Sequence, residues 1–205
     1  MSRLLPFAAA LVLFTSLVAH SDEKSAGIAI DDDAELEQAL SSTTEIQYLD
    51  TQLGDVVTDL ELRHKINIEI DVAQLKAKGK SHETPITLSL KDITLESALN
   101  ALLQQEELTW TIQNQTLLIT TLEAEPKYGV TKIYQVDDLG SDLSSSQGVL
   151  EQSIAPESWR KNGGPTGVIV PHAETKSLVI VQTSRNHRQV RKLLDALRTA
   201  KGKGA

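Results

Sequence analysis

The chain has 205 residues, with 20 Lys and Arg against 28 Asp and Glu and a net charge of −8. It contains no cysteine, which excludes disulfide scaffolds, thiolate metal centres and cysteine nucleophiles. Aromatic residues make up 3%, and both phenylalanines, Phe7 and Phe14, fall near the amino end. Beyond residue 21 a core must therefore come from 24 Leu, 14 Ile and 11 Val, enough for one or two small cores. A large cofactor enzyme does not fit this length, and no cofactor is expected.

Residues 1–21 open on Met-Ser-Arg, continue as an apolar run from Leu4 to Ala19, and close on Ala19-His20-Ser21. One positive charge, a short apolar stretch and small residues at −3 and −1 form a secretory signal peptide, with cleavage between Ser21 and Asp22. An uncleaved anchor is the alternative, although about sixteen apolar residues are short for a span. The expected mature protein is periplasmic or otherwise exported to the envelope and has no stable membrane span after cleavage. That places it away from cytosolic nucleotides and nucleic acid.

Residues 22–45 are expected to be an acidic flexible linker, with at most a helical turn around Ala34–Leu40. Its Asp31-Asp32-Asp33 run lacks the alternating acids of a calcium loop. Ile46 and Tyr48 then predict a short strand. Leu53, Val56, Val57 and Leu60 are spaced as the apolar stripe of a helix. Ile66, Ile68 and Ile70 alternate as a strand, Val72–Gly79 is a short connector, and Ile86, Leu88 and Leu90 alternate again. Thr94 caps a second helix with the stripe Leu95, Ala98, Leu99, Leu102 and Leu103. Leu108, Trp110 and Ile112 form a strand that turns at Asn114-Gln115 into Leu117–Leu122. Trp110 is expected to be at least partly buried, with its indole N–H near a polar rim.

Glu123–Gly129, with Pro126, breaks the pattern. A second unit follows: a strand at Val130–Val136, a weaker helix at Leu143–Ile154, and a connecting loop through Trp159 and Asn162-Gly163-Gly164-Pro165. The strands Val168–Val170 and Leu178–Val181 pair across His172–Lys176. The continuous apolar run of the latter predicts cover on both faces. Ser184 is read as the cap of a last helix striped by Val190, Leu193, Leu194 and Leu197. The fold class is α+β, two small αβ-layer domains ordered βαββαββ and then βαββα, with domains at 46–124 and 125–200 and a basic tail at 201–205.

Few residues suggest chemistry. Glu61 and His64 lie three apart on a helix, a pairing used by carboxylate metal bundles, but those need several such motifs. His82, His172 and His187 have no second ligand at a supportable spacing. Ser144-Ser145-Ser146 reads as a helix start and not as a nucleophile. Asn162–Pro165 reads as a plain turn, because its proline removes an amide that an anion cradle needs. No catalytic, cofactor-binding or metal site is therefore assigned.

Charge is distributed unevenly. Residues 22–126 carry 7 basic and 21 acidic side chains, a balance of −14, whereas residues 127–205 carry 12 and 7, a balance of +5. Arg185, Arg188 and Lys192 make a stripe opposite the leucines of the last helix. Their simplest reading is a solvated face near a helix carboxyl end. They are also the candidate interaction surface, suited to an acidic partner, which could be this chain's own first unit. The opposite fields predict contact between the units that weakens with salt.

The segments "IQYLDTQLGDVVTDLELRHKINIEID" and "ITLSLKDITLESALNALLQQEELTWTIQNQTLLITT" resemble the short amino-terminal domain shared by secretins and TonB-dependent transducers. Leu53, Ile66-Asn67-Ile68, Asp71, Leu90, Thr94-Leu95, Ala98-Leu99 and Leu102-Leu103 stand in its motif positions. Residues 130–199 look like the secretin periplasmic domain that follows it, through "TKSLVIVQTSRNHRQVRKLLDAL", with Lys176 where asparagine is usual. A KH-like strand order is shared, but the G-x-x-G loop of nucleic-acid-binding KH modules is absent. The resemblance implies a stand-alone exported pair of secretin-type domains without the secretin barrel. It also implies a non-enzymatic protein–protein interaction module with envelope partners, self-association included. The alternatives are an accessory subunit of a secretion or pilus apparatus, or an envelope enzyme or carbohydrate binder.

Overall fold

The computed structural model describes residues 33–140 and 142–203. The expected leader, with its cleavage point between Ser21 and Asp22, lies outside the described residues, as does the start of the acidic stretch. From Asp33 onward that stretch is not a linker. Ala34–Ser41 forms helix α1, and its Leu36 and Leu40 are buried in the first core. The reason is their i,i+4 spacing, which aligns two leucines on one face of an otherwise polar helix.

Strand β1 spans Thr43–Gln52 and pairs antiparallel with β3, Pro85–Thr94. Tyr48 faces Leu88 while Thr51 faces Ile86, so β1 holds one extra residue there. Thr44 faces Ile93 while Ile46 faces Leu90, so β3 holds the compensating one. Asp50 (φ 49°) and Asp92 (φ 54°) supply the left-handed conformation at these bulges, which a short polar side chain tolerates better than most.

Helix α2 runs Leu53–His64, β2 Ile68–Ile70, α3 Val72–Ala77 and α4 Leu95–Gln104. Strands β4, Leu108–Gln113, and β5, Thr116–Thr121, make a hairpin whose turn residues Asn114 (φ 49°) and Gln115 (φ 61°) are both left-handed. That twist suits a two-residue hairpin loop. The second sheet is ordered β2-β5-β4, with β2 parallel to β5. Helix α4 touches β1 and β3 of one sheet and β4 of the other, and all five residues of its stripe are buried. Thr94 begins it by accepting from the Ser97 N–H at 3.2 Å. Thr94→Ala is expected to lower stability by about 1 kcal/mol, measured by urea unfolding.

The second unit comprises β6 (Val130–Gln135), α5 (Leu143–Ser153), β7 (Val168–His172), β8 (Ser177–Gln182) and α6 (Ser184–Lys203). Its antiparallel sheet is ordered β6-β8-β7. Leu178 and Ile180 face the core with Val136, Leu150, Ile154, Val190 and Leu194. Val179 and Val181 are only half-buried, so the expected cover on both faces of β8 is absent. On the outer face Ile133, Val179 and Val170 form one row across the three strands.

Trp159 is no connector residue. It is 1% exposed, in the second core, and its indole N–H donates to the Ile154 carbonyl at 2.7 Å. Two short 3₁₀ turns, Pro156–Ser158 and Arg160–Asn162, hold it there. Gly164 closes against them: a Cβ at this position would stand 2.2 Å from the Ser158 carbonyl carbon. Gly164→Ala is expected to displace the loop at a cost of about 1–3 kcal/mol, with red-shifted tryptophan emission as the readout. Among the described residues no helix is long and apolar enough to cross a membrane.

Candidate functional site: an acid–base seam between the units

The two apolar cores are separate, and what joins them is polar. The amino end of α6 lies against β4. Thr183, and not Ser184, provides its cap: the Thr183 carbonyl accepts from the His187 N–H at 2.9 Å and its hydroxyl from Asn186 at 3.4 Å. Ser184 is thereby freed to reach the first unit. Its hydroxyl accepts from the Ile112 N–H and donates to the Ile112 carbonyl, both at 3.2 Å, closing the edge of β4 at that point. Ser184→Ala leaves both backbone groups without this partner in a buried contact, an expected loss of ~1–2 kcal/mol in thermal or urea unfolding.

The cationic stripe of α6 continues the contact. Arg185 donates to the Thr109 hydroxyl and stands 3.6 Å from Glu125. The Nε of Arg188 donates to Glu96 at 2.9 Å, and its guanidinium lies 4.1 Å from the centre of the Trp110 ring. Arg188 is thus a desolvated cation with a side chain 7% exposed, where a solvated one was the simplest reading. Lys192 remains exposed, its Nζ 3.8 Å from the other oxygen of Glu96. Asp33, which precedes α1, stands 3.4 Å from Lys132 of β6, and Glu37 of α1 stands 3.8 Å from Arg191 of α6. The acids of the first unit and the seam therefore face the cations of the second.

Burial drags the Arg188 guanidinium below its ordinary range, and the charges of Glu96 and Glu37 oppose that shift. Burial pushes the Glu125 carboxyl up, against the pull of Arg185 and Arg188. The connecting segment is fastened at both ends. The Tyr128 hydroxyl donates to Asp71, which also accepts from Thr120 at 3.1 Å, while Thr166 donates to the Pro126 carbonyl at 2.7 Å.

The remaining candidate residues have structural work. His64 bonds Ser42 at 3.1 Å and Thr44 at 3.0 Å, while Glu61 accepts from the Ile68 N–H at 2.8 Å. His82 is exposed 3.9 Å from Glu83, and His172 bonds Thr175 at 2.8 Å. His187 is buried between Tyr134 and the Val130 carbonyl, each at 2.9 Å. Ser144 lies in the first turn of α5, its N–H bonded to Asp142. Asn162 donates to the Pro156 carbonyl at 2.8 Å and Gly163 (φ 88°) completes the turn. Among the described residues no three His, Asp or Glu side chains are placed to hold a metal ion. Trp110 is 1% exposed, and its indole N–H donates to Asn100 at 3.0 Å.

No family model matches this chain, and no curated protein matches it. Solved structures to which it is similar include secretin amino-terminal domains. That of XcpQ from Pseudomonas aeruginosa is 13% identical over 77% of this chain and 66% of its own, with a TM-score of 0.28. The Vibrio cholerae type IV competence pilus secretin PilQ is 16% identical over 75% of this chain, with a TM-score of 0.31. The enterotoxigenic Escherichia coli GspC–GspD complex is 12% identical over 77% of this chain, with a TM-score of 0.28. The chain spans 65% of the XcpQ N012 structure and 38% of the PilQ chain.

Proposed function

We propose that the chain is a non-enzymatic interaction module of the cell envelope, in an assembly of the secretion or pilus kind, and that its two units act as one body. The observation that carries this reading is the seam. Desolvated Arg188, Ser184 and the fastened Glu123–Gly129 segment commit the polar groups between the units to holding them together. Sheet surfaces are left for other proteins, notably the row Ile133, Val179 and Val170, with Val170 52% exposed. An uncovered apolar row of this kind suits a protein contact. The sequence resemblance supports the same reading, since Thr94, Leu95 and Leu99 hold the capping and core positions that its motif implies.

The test is photo-crosslinking in the native host with benzoylphenylalanine at Val170 and, separately, at Leu49, which is 81% exposed on the β1 bulge. Adducts to envelope proteins, or to a second copy, are the expected result. A chain that fractionates with the cytosol, or forms no adduct from any exposed position, overturns the reading.

A further inference from the structure

Beside the seam lies a groove of about 380 Å³ that neither unit forms alone. Helix α4 and strand β4 supply one wall and the floor, which lies over the buried side chains of Leu103, Leu108 and Trp110. Leu122 stands at the rim, 51% exposed. The other wall is α6, through Arg188, Gln189 and Lys192.

The charge of this wall is not balanced in place. Arg188 and Lys192 share a single carboxylate, Glu96, at 2.9 and 3.8 Å. Arg188 Nη1 is buried with no hydrogen-bond partner. Arg185, also lining the groove, shares with Glu125 a carboxyl that burial pushes toward its neutral form. A chain of net charge −8 thus keeps a cationic cleft where its two units meet. Surface cations near other acids are commonplace, but exposed Lys192 shares its carboxylate with Arg188 and stands in the same groove as an exposed leucine, which leaves room for one more anion at Lys192.

We infer that this groove docks a partner segment carrying a carboxylate next to an apolar side chain. The carboxylate pairs with exposed Lys192 beside Glu96, and the apolar group covers Leu122. This inference rests on the interaction-module reading and names its surface. Because both units build the groove, such a segment binds only the docked arrangement and stabilises it.

The probe is benzoylphenylalanine at Leu122 in the full chain, photolysed in the native host, with the crosslinked peptide sequenced. An adduct peptide with Asp or Glu within a few residues of a Leu, Ile, Val or Phe is expected. Its yield should fall at least tenfold when Lys192→Glu and Gln189→Glu are added. Both positions are exposed, and Lys192→Gln, expected to give a smaller loss, serves should the double variant unfold. A synthetic copy of the adduct peptide should bind the purified chain and lose binding when its acids become amides. The inference is overturned by an adduct lacking acids, by a yield indifferent to the charge changes, or by silence at Leu122 alongside adducts at Val170 or Leu49. Silence at all three positions overturns the interaction reading itself.

Discussion

Glu96→Gln is expected to separate the unfolding of the two units. The substitution keeps the shape of the side chain and a hydrogen-bond acceptor for Arg188 but removes the negative charge. Arg188 then keeps its desolvated guanidinium over Trp110 without a carboxylate in contact. Removing one member of a desolvated pair costs about 3–5 kcal/mol. The lower end applies here, because Glu96 retains some water contact. The apolar cores are not continuous across the seam, so this loss falls on the coupling between units and not on either core. Calorimetry of the unsubstituted chain should show one transition, and the variant should show two. A single transition at an unchanged temperature would mean that α1, Ser184 and the Tyr128–Asp71 contact already suffice to join the units.

The same geometry revises the expected salt response. Exposed pairs such as Lys192–Glu96 respond to ionic strength, but a desolvated pair is screened far less. Small-angle scattering should therefore report one compact two-unit particle from low to high salt. A radius of gyration that grows with salt would return the seam to the weak surface attraction suggested by the balances of −7 over residues 46–126 and +5 over residues 127–205.

The elements written most plainly in the sequence are those whose apolar periodicity is undiluted. Leu53, Val56, Val57 and Leu60 of α2, and the five stripe residues of α4, are all buried. Thr94 was legible as a cap because a threonine preceding such a stripe has a physical role there. Helix α1 was hidden by composition: the three acids Asp33, Glu35 and Glu37 outweigh two leucines in any average, although the i,i+4 spacing was present. Trp159 was hidden by its surroundings, since a turn-rich stretch reads as surface unless the indole is asked where it could go. The stripe Arg185, Arg188 and Lys192 was visible as a helix face. Its burial was not, because it depends on Glu96 and Trp110 arriving from another unit. The bulges at Asp50 and Asp92 depend on register, which alternation alone does not encode.

Acid should weaken the protein through His187 before its carboxylates matter much. The ring lies between β6 and α6. Its Nε2 bonds the Val130 carbonyl, an acceptor only, so that nitrogen carries the proton and Nδ1 accepts from the Tyr134 hydroxyl. Burial, with the nearby charges of Lys132 and Arg191 and against the Val130 bond, lowers its pKa from 6.5 to about 4. Between these values the unfolded chain binds a proton that the folded chain refuses. The stabilisation is thus present above pH 6.5 and is lost as pH falls toward 4, by ~2 kcal/mol between pH 7 and pH 5. Hydrogen bonds hold the Asp59, Asp71 and Glu151 carboxyls low, so their loss falls in a more acidic window. Glu125, raised by burial, acts with the opposite sign above its ordinary range. The comparison of the protein with His187→Gln therefore isolates the imidazole better than the raw slope does. The variant should be less stable at pH 7 yet lose ~2 kcal/mol less on moving to pH 5 in urea titrations. Equal losses in both proteins would assign the acid sensitivity to groups other than His187.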